Sequence, residues 1–335
     1  MSPAPRAPRP PAPHSFPLTL SVIVVNWKVR DLLRACLASL YPGTQLDPAR
    51  WEVIVVDNAS GDGSPEMVRA EFPQAVLQVH SVNLGFGKAN NEALPLCRGE
   101  YLLLLNPDTV VPAGTVDRML EIMAAREEIG ALGCRLRSPD GTVQRFTGGY
   151  APGVLNVASY YLFAHRVLPP RLLPPPLFLD ENQEPREDTA VGWVSGACML
   201  LRRAALGGTL FDERFFMYGE DLELCRRLAA DGWQIVYTPR ASIVHHGGRS
   251  LELQSPGLRS RNLMGLREVY MRRPGFSSAR LFDFVMFLAF LLRVFVFGLA
   301  ARARPGRGFD ARAAASRHLL GESLRLLLGL RNQTG

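Results

Sequence analysis

Cysteine is scarce in this chain of 335 residues, and its spacing serves neither of its usual structural purposes. Cys36, Cys97, Cys134, Cys198 and Cys225 are odd in number and scattered. That excludes a disulfide framework and a cysteine-built zinc site, and it points to a reducing compartment. Glycine-rich phosphate loops are missing as well. The run Leu18–Val25 ends on Asn26-Trp27-Lys28, without the G-x-G-x-x-G turn of a dinucleotide site. Gly85-Phe86-Gly87-Lys88-Ala89 lacks Walker-loop spacing, and no glycine-rich basic loop of the pyrophosphorylase kind follows the first strand. Residues 1–17 are rich in Pro, Ala and Arg but hold no apolar run of the length a signal peptide needs, so they read as a disordered leader. A positive charge balance is lacking from most of the chain. Fourteen Arg face four Asp or Glu between Pro256 and Gly335, a local balance of +10 within a net +7, which leaves −3 for everything before. The basic character therefore concerns the tail's partner, and no nucleic-acid partner is expected.

A hydrophobic share of 47% over this length is enough for one large core, or one core with an appendage. Its centre is Tyr101-Leu102-Leu103-Leu104-Leu105-Asn106-Pro107-Asp108. Four unalternated leucines read as a strand buried on both faces, and the proline ends it with an acidic side chain at its carboxyl end. In open parallel sheets ligands bind at that edge. A carboxylate there can hold a divalent cation against a diphosphate, or it can cap the helix that follows.

Ahead of this stretch, strands alternate with helices. Leu18–Val25 is followed by Val29, Leu32, Leu33, Cys36, Leu37 and Leu40 at helical spacing, then Trp51–Val56, a helix through Phe72, and Val76–Val79. The pattern predicts an α/β fold with a mostly parallel sheet. Asn26, Asp57, Asn83 and Asp108 all fall at strand carboxyl ends, as in a nucleotide cleft. Asp57 can accept from a pyrimidine N–H and a ribose hydroxyl, or close an Asx-turn with Ser60 or Gly61. The Asn83–Lys88 loop, with Gly85 and Lys88, completes the expected base and ribose pocket.

Val24-Val25-Asn26, Val55-Val56-Asp57-Asn58-Ala59-Ser60, Asn83-Leu84-Gly85-Phe86-Gly87 and Asn106-Pro107-Asp108 together resemble the family 2 inverting glycosyltransferases. Within that family they look most like the bacterial rhamnosyltransferase-like branch that builds cell-surface polysaccharides. The similarity runs from about Leu18 to about Pro274. It implies a GT-A fold, a nucleotide-diphosphate sugar donor, a glycan or lipid-linked acceptor, and Mg2+ or Mn2+. The family's metal motif is commonly Asp-x-Asp. Here Asn106 replaces its first aspartate, so the resemblance gives Asp108 as the ligand and leaves Asn106 among the donor-binding residues.

Beyond the first half of the sheet, Thr115–Glu128 reads as a helix, and 133–137 with 142–146 as a hairpin-like pair around Ser138-Pro139-Asp140-Gly141. Residues 150–189 lose all periodicity and read as an irregular insertion, a candidate acceptor-side lid. In Trp193-Val194-Ser195-Gly196-Ala197 the small residues permit a close backbone approach to a ligand, and Trp193 offers a ring either to a sugar or to the core. The resemblance favours the sugar, with Ser195 and Gly196 beside it. Glu220 and Asp221 stand at the start of a helix, where acidic residues serve as caps and where the dipole keeps a carboxylate ionised. The resemblance makes Asp221 the base for the acceptor hydroxyl and Glu220 its support. Paired histidines precede two glycines in His245-His246-Gly247-Gly248-Arg249-Ser250, and imidazole can complete a metal shell. The family pattern selects His245, with His246 as rival; Arg249 and Arg259 are candidates for the diphosphate.

Leu281–Ala300 is about 30 Å of mostly apolar helix, just long enough to cross a bilayer, but Asp283 and Arg293 oppose a crossing. With Arg302, Arg304 and Arg307 following, residues 275–335 read as a basic helical tail lying on an anionic membrane surface. The expected location is the cytoplasmic inner face of the cell membrane. A single span, or a helix pair packed in a homodimer, is the alternative for the tail. The domain expected is 18–274. The competing functional class is a catalytically silent, membrane-anchored nucleotide-sugar-binding protein.

Overall fold

A computed structural model describes residues 16–179, 184–247, 256–271 and 279–330, with side chains left out for 256–262. The expected leader therefore falls almost wholly outside the described residues. Two compact units emerge. One comprises the chain up to Ala151 together with Phe178–Arg249, and the other comprises Pro152–Leu177 with Ser250–Gly335.

The first unit is built on a sheet of nine strands. β1 (Leu18–Asn26), β2 (Trp51–Asp57), β3 (Val76–Val79) and β4 (Gly99–Leu105) alternate with α1 (Arg30–Gly43), α2 (Ser64–Glu71) and α3 (Phe86–Ala93). After β5 (Thr109–Val110), α4 (Thr115–Ala125) and β6 (Ile129–Arg137) come the short strands β7 (Gly148–Gly149), β8 (Thr189–Ala190) and β9 (Trp193–Val194). β10 (Cys198–Arg202), α7 (Glu220–Ala230) and β11 (Gln234–His245) complete the unit, with α5 (Val154–Tyr161) and α6 (Ala164–Val167) lying in the other one. The strand order is β3-β2-β1-β4-β10-β6-β11-β5, with β8 on β11. Strands β1 to β4 are mutually parallel, as their helical crossovers require. β10 runs antiparallel to β4 and β6. Its reversed direction has a consequence for the site: Cys198 pairs with Leu105, so the start of β10, not its end, reaches the rim where β4 stops.

Why the leucine run forms a central strand is plain from its neighbours. Tyr101, Leu103 and Leu105 enter the core on one face of the sheet with Leu20, Val22 and Val24. Leu102 and Leu104 enter the core on the other face with Ile23 and Val25. Helices α1, α2 and α4 cover the first face through Leu33, Met67 and Met119, and α3 and α7 cover the second through Ala89 and Leu224. Each leucine so buried contributes about 1.5–3 kcal/mol. The edge opposite the site is pinned by polar bonds: Glu52 accepts from Ser21 Oγ at 2.7 Å and from Arg98 Nη2 at 2.8 Å.

Two expectations need correction. The hairpin of 133–146 shrinks to a single bridge, Arg137 to Val143, closed by the Ser138 N–H on the Thr142 carbonyl at 2.8 Å. β6 instead joins the large sheet between β10 and β11, where longer ladders and a buried face compete for it. The insertion is less irregular than its prolines suggest, because α5 (Val154–Tyr161) and α6 (Ala164–Val167) form within it.

In the second unit, α5 and α6 accompany helices Pro256–Met271, Ala279–Ala303 and Phe309–Leu327. Among the described residues, Ala279–Ala303 is the one helix long and apolar enough to cross a membrane.

Candidate active site

The carboxyl ends of β1 and β2 carry the first group of polar side chains. Asn26 and Asp57 are register partners. Asn26 Nδ2 donates to Asp57 Oδ1 at 3.0 Å and to Ser60 Oγ at 2.9 Å. The Ser60 N–H donates to Asp57 Oδ2 at 3.0 Å, so the Asx-turn reading of Asp57 holds. Next to it, Asn58 acts as a clamp that the sequence reading passed over. Its Nδ2 donates to Asn83 Oδ1 at 2.9 Å and to the Gly85 carbonyl at 3.1 Å, and its Oδ1 accepts from the Leu84 N–H at 2.8 Å. The 83–85 loop is thereby fixed to the end of β2. Lys88 lies apart from this cluster, with its ammonium 3.6 Å from the exposed carboxylate of Glu213.

Gly85 ties this loop to the segment before α7. Its φ is +81°, and a Cβ there would come 2.5 Å from the Phe216 carbonyl oxygen, which accepts from the Phe86 N–H at 3.0 Å. Only glycine meets both conditions. Lys28 (φ +56°), Ala59 (φ +61°) and Tyr218 (φ +71°) also adopt left-handed backbone in loops at this end of the sheet. Such conformations cost about 1–2 kcal/mol per non-glycine residue and tend to collect at functional sites.

The second group surrounds the end of β4. Pairing of β11 with β5 sets His245 opposite Thr109. His245 Nε2 lies 3.3 Å from Asp108 Oδ1 and 3.3 Å from Asn106 Nδ2. The other face of the imidazole is held by Gln144, a residue that no sequence pattern marks. Gln144 Nε2 donates to the His245 carbonyl at 2.7 Å, which turns its Oε1 to His245 Nδ1 at 2.8 Å. Since Oε1 can only accept, Nδ1 carries a proton, and in the neutral ring Nε2 presents its lone pair toward Asp108. A Cβ on Gly247 would lie 2.9 Å from His245 Cε1, so glycine there spares the ring. His246 meets this corner through its backbone, donating to the Asp108 carbonyl at 2.8 Å. Arg249 and the side chain of Arg259 lie outside the described residues.

A lone pair facing a carboxylate oxygen at 3.3 Å, with the imidazole proton committed elsewhere, is a donor set suited to a divalent cation. Among the described residues, no three His, Cys, Asp or Glu gather as a complete metal cage. Asp108 and His245 could therefore hold an ion only with oxygens from a ligand completing its shell, and Asn106 stands beside them.

The third group links to the second through the start of β10. The Asn106 N–H donates to the Ala197 carbonyl at 3.0 Å, and the Gly196 N–H donates to Asp221 Oδ2 at 3.4 Å. The Asp108–His245 contact, the Asn106–His245 hydrogen bond and the Gly196-Ala197 peptide that joins Asn106 to Asp221 thus line up these residues along one rim. Gly196 fits between two neighbours: a Cβ on it would be 3.5 Å from the Phe86 ring and 3.8 Å from Asp221 Cβ. Ser195 shapes the same loop, its Oγ accepting from the Ala197 N–H at 3.3 Å. Trp193 does not offer a sugar platform. It is 3% exposed and packs edge-on against Phe178 at 5.9 Å, so the core claims its ring.

Glu220 and Asp221 open α7 behind the left-handed pair Tyr218-Gly219. The helix dipole does not keep them readily ionised. Burial, with the Asp221 charge second, pushes the Glu220 carboxyl up to about 8. Its Oε2 is buried and has no hydrogen-bond partner among the described residues. Burial also raises Asp221, to about 6, against the opposing pull of the Leu222 and Gly196 N–H groups. Asp221 remains partly open to solvent. Of the two, Glu220 is pushed further toward its neutral form, and Asp221 is the member more open to solvent.

Comparison with known proteins bears on what this rim does. Residues 21–207 match the model of the family described as glycosyl transferase family 2. The chain is 34% identical over 246 residues to N-acetylglucosaminyl-diphospho-decaprenol L-rhamnosyltransferase of Mycobacterium tuberculosis, covering 69% of this chain and 77% of that protein. It is 23% identical over 242 residues to rhamnosyltransferase WbbL of Escherichia coli, covering 67% and 82%. In fold it is similar to a mannosyltransferase of Pyrobaculum calidifontis solved with GDP-Man and Mn2+, with a TM-score of 0.59 at 17% identity over 98% of this chain and 92% of that one.

Proposed function

The chain belongs to glycosyl transferase family 2, has the GT-A fold, and is a glycosyltransferase; from that footing we propose that it transfers rhamnose or a similar sugar from a nucleoside-diphosphate donor, with inversion, to a hydroxyl of a glycan or lipid-linked acceptor. The observation that supports this most is the rim of Asp108, His245, Asn106, Gly196 and Asp221 at the end of β4. Asp57, with Asn26 and the 83–85 loop, receives the base and ribose. Asp108 and His245 are the residues that would hold Mg2+ or Mn2+, with Asn106 beside them. When bound, that ion supplies positive charge to the departing diphosphate.

Asp221 takes the proton of the acceptor hydroxyl as its oxygen bonds to the anomeric carbon from the face opposite the diphosphate. The bond to the diphosphate oxygen breaks and the nucleoside diphosphate leaves. A base whose pKa is near 6 is both ionised and still basic at neutral pH. Neutral Glu220, beside it, adds no second negative charge where the diphosphate must approach, and can donate a hydrogen bond to the acceptor. Ser195 and Gly196 line the acceptor side.

The relative named above acts on a diphospho-decaprenol substrate, which supports a lipid-linked acceptor in cell-surface polysaccharide synthesis and, with it, action at a membrane surface. The basic tail with its apolar helix fits attachment there. To test the reaction, the full chain is assayed with a panel of sugar nucleotides and a polyprenyl-diphosphate glycan, with Mn2+ or with chelator, and the product anomer is read by NMR. Inverted product from one donor, lost with chelator, is expected. Donor binding with no product from any pairing would favour the silent binding protein instead.

A further inference from the structure

We propose that the Ala279–Ala303 helix lies in the plane of an anionic membrane surface and does not cross the bilayer. Its outer stripe of Phe284, Leu288, Leu291, Phe295 and Leu299 would sit in the boundary between headgroups and acyl chains. This rests on the reading of the tail as a membrane element and is independent of the transfer reaction.

The stripe recurs at steps of three and four residues and so occupies one helix face, and all five side chains are exposed, Phe295 to 65%. The opposite face belongs to the second unit's own core through Phe282, Met286, Ala289 and Phe290. The two charged residues that oppose a crossing are turned to that protein face, Asp283 ion-paired and Arg293 hydrogen-bonded. Asp283 is 2% exposed and accepts from Arg267 Nε at 2.6 Å and Nη2 at 2.9 Å. Arg293 donates to the Tyr161 and Tyr160 carbonyls at 2.8 and 3.1 Å, and its guanidinium lies 4.4 Å from the Phe163 ring centre.

Those same contacts forbid a crossing. Arg293 is near the middle of the helix, and it is met there by the end of α5 and by Phe163, whose φ is +62°. Irregular backbone of this kind is not tolerated against lipid at mid-bilayer. The Phe309–Leu327 helix follows after a five-residue turn and folds back, bringing the Phe309 ring to 6.4 Å from Phe297. It carries Asp310, Arg312, Arg317, Glu322 and Arg325, which a crossing would draw into hydrocarbon beside its partner. Lying flat, the helix has no such conflict. Exposed Arg280 at one end and Arg302, Arg304 and Arg307 at the other then meet anionic headgroups.

The test uses the full chain. Flotation is measured with phosphatidylglycerol–phosphatidylcholine vesicles for wild type, Phe284→Glu/Phe295→Glu, and Arg302→Glu/Arg304→Glu, with circular dichroism to check folding. Either double substitution is expected to weaken partitioning at least about tenfold. Arg307→Cys is then probed in intact spheroplasts with a membrane-impermeant maleimide, against a background of five native cysteines that are all buried. No labelling is expected until the cells are opened. Undiminished flotation of both folded variants, or labelling in intact cells, overturns the in-plane placement but leaves the membrane reading standing. Absence of flotation for wild type, or a soluble dimer that Phe284→Glu/Phe295→Glu dissociates, overturns both while leaving the transfer reaction untouched.

Discussion

Glu220→Gln tests whether burial or the helix dipole governs the start of α7. A group whose folded pKa is raised above its unfolded value contributes stability that is present below the unfolded pKa and lost as pH rises through the folded one. For Glu220 that window runs from 4.5 to about 8. Asp221, raised from 3.8 to about 6, adds most of its slope lower down, so Glu220 dominates the interval from pH 6 to pH 8. Each unit is about 1.4 kcal/mol, and the slope halves near the folded pKa, so wild type should lose about 2 kcal/mol across this interval from this group alone. Glutamine stays neutral throughout and should remove that loss. Because Oε2 has no partner among the described residues, an amide in its place strands a donor and costs about 1–3 kcal/mol at every pH. The variant should therefore begin below wild type at pH 6 and close the gap by pH 8. Urea unfolding midpoints of both proteins at pH 6, 7 and 8 give the comparison. Parallel pH profiles would refute the argument, since they would mean that Glu220 is already ionised at pH 6.

Three further perturbations follow from the packing. Gly85→Ala places a Cβ 2.5 Å from the Phe216 carbonyl oxygen at positive φ, so thermal stability should fall by at least about 1–2 kcal/mol and nucleotide affinity with it, by melting and titration. Gln144→Leu removes the acceptor that fixes the His245 tautomer and should weaken Mn2+ affinity about 10–100-fold in the presence of nucleoside diphosphate, measured by electron paramagnetic resonance; unchanged affinity would show that Gln144 does not position the ring. Leu103→Ala, fully within the core, should cost about 2–5 kcal/mol in denaturant unfolding.

The parallel half of the sheet was legible because its strands are buried on both faces, which leaves runs such as Leu102–Leu105 without alternation. Strand direction leaves no comparable mark. Cys198–Arg202 has the same apolar composition in either sense, and the arrival of its first residues at the rim is visible only in space. Asp108, His245 and Asp221 were named from motifs at strand and helix ends, and the fold brings them onto one rim. Gln144 could not be named, because its meaning depends on a contact with a residue 101 positions away. Trp193 was misjudged for a related reason: an indole suits a sugar or a core equally well, and Phe178 decides the matter. Glu220 and Asp221 show the limit of local electrostatics. Their place at a helix start is written in the chain, but the desolvation that outweighs the dipole is not.

The most direct test of the division of labour along the rim compares Asp108→Ala with Asp221→Asn in two assays: calorimetric titration of donor nucleotide with Mn2+, and single-turnover transfer. Asp221→Asn is predicted to bind donor within about threefold of wild type while transfer falls by about 10²–10⁴. Asp108→Ala should lose the Mn2+-dependent part of donor binding. Transfer surviving in Asp221→Asn, or Mn2+-dependent donor binding persisting in Asp108→Ala, would contradict the account.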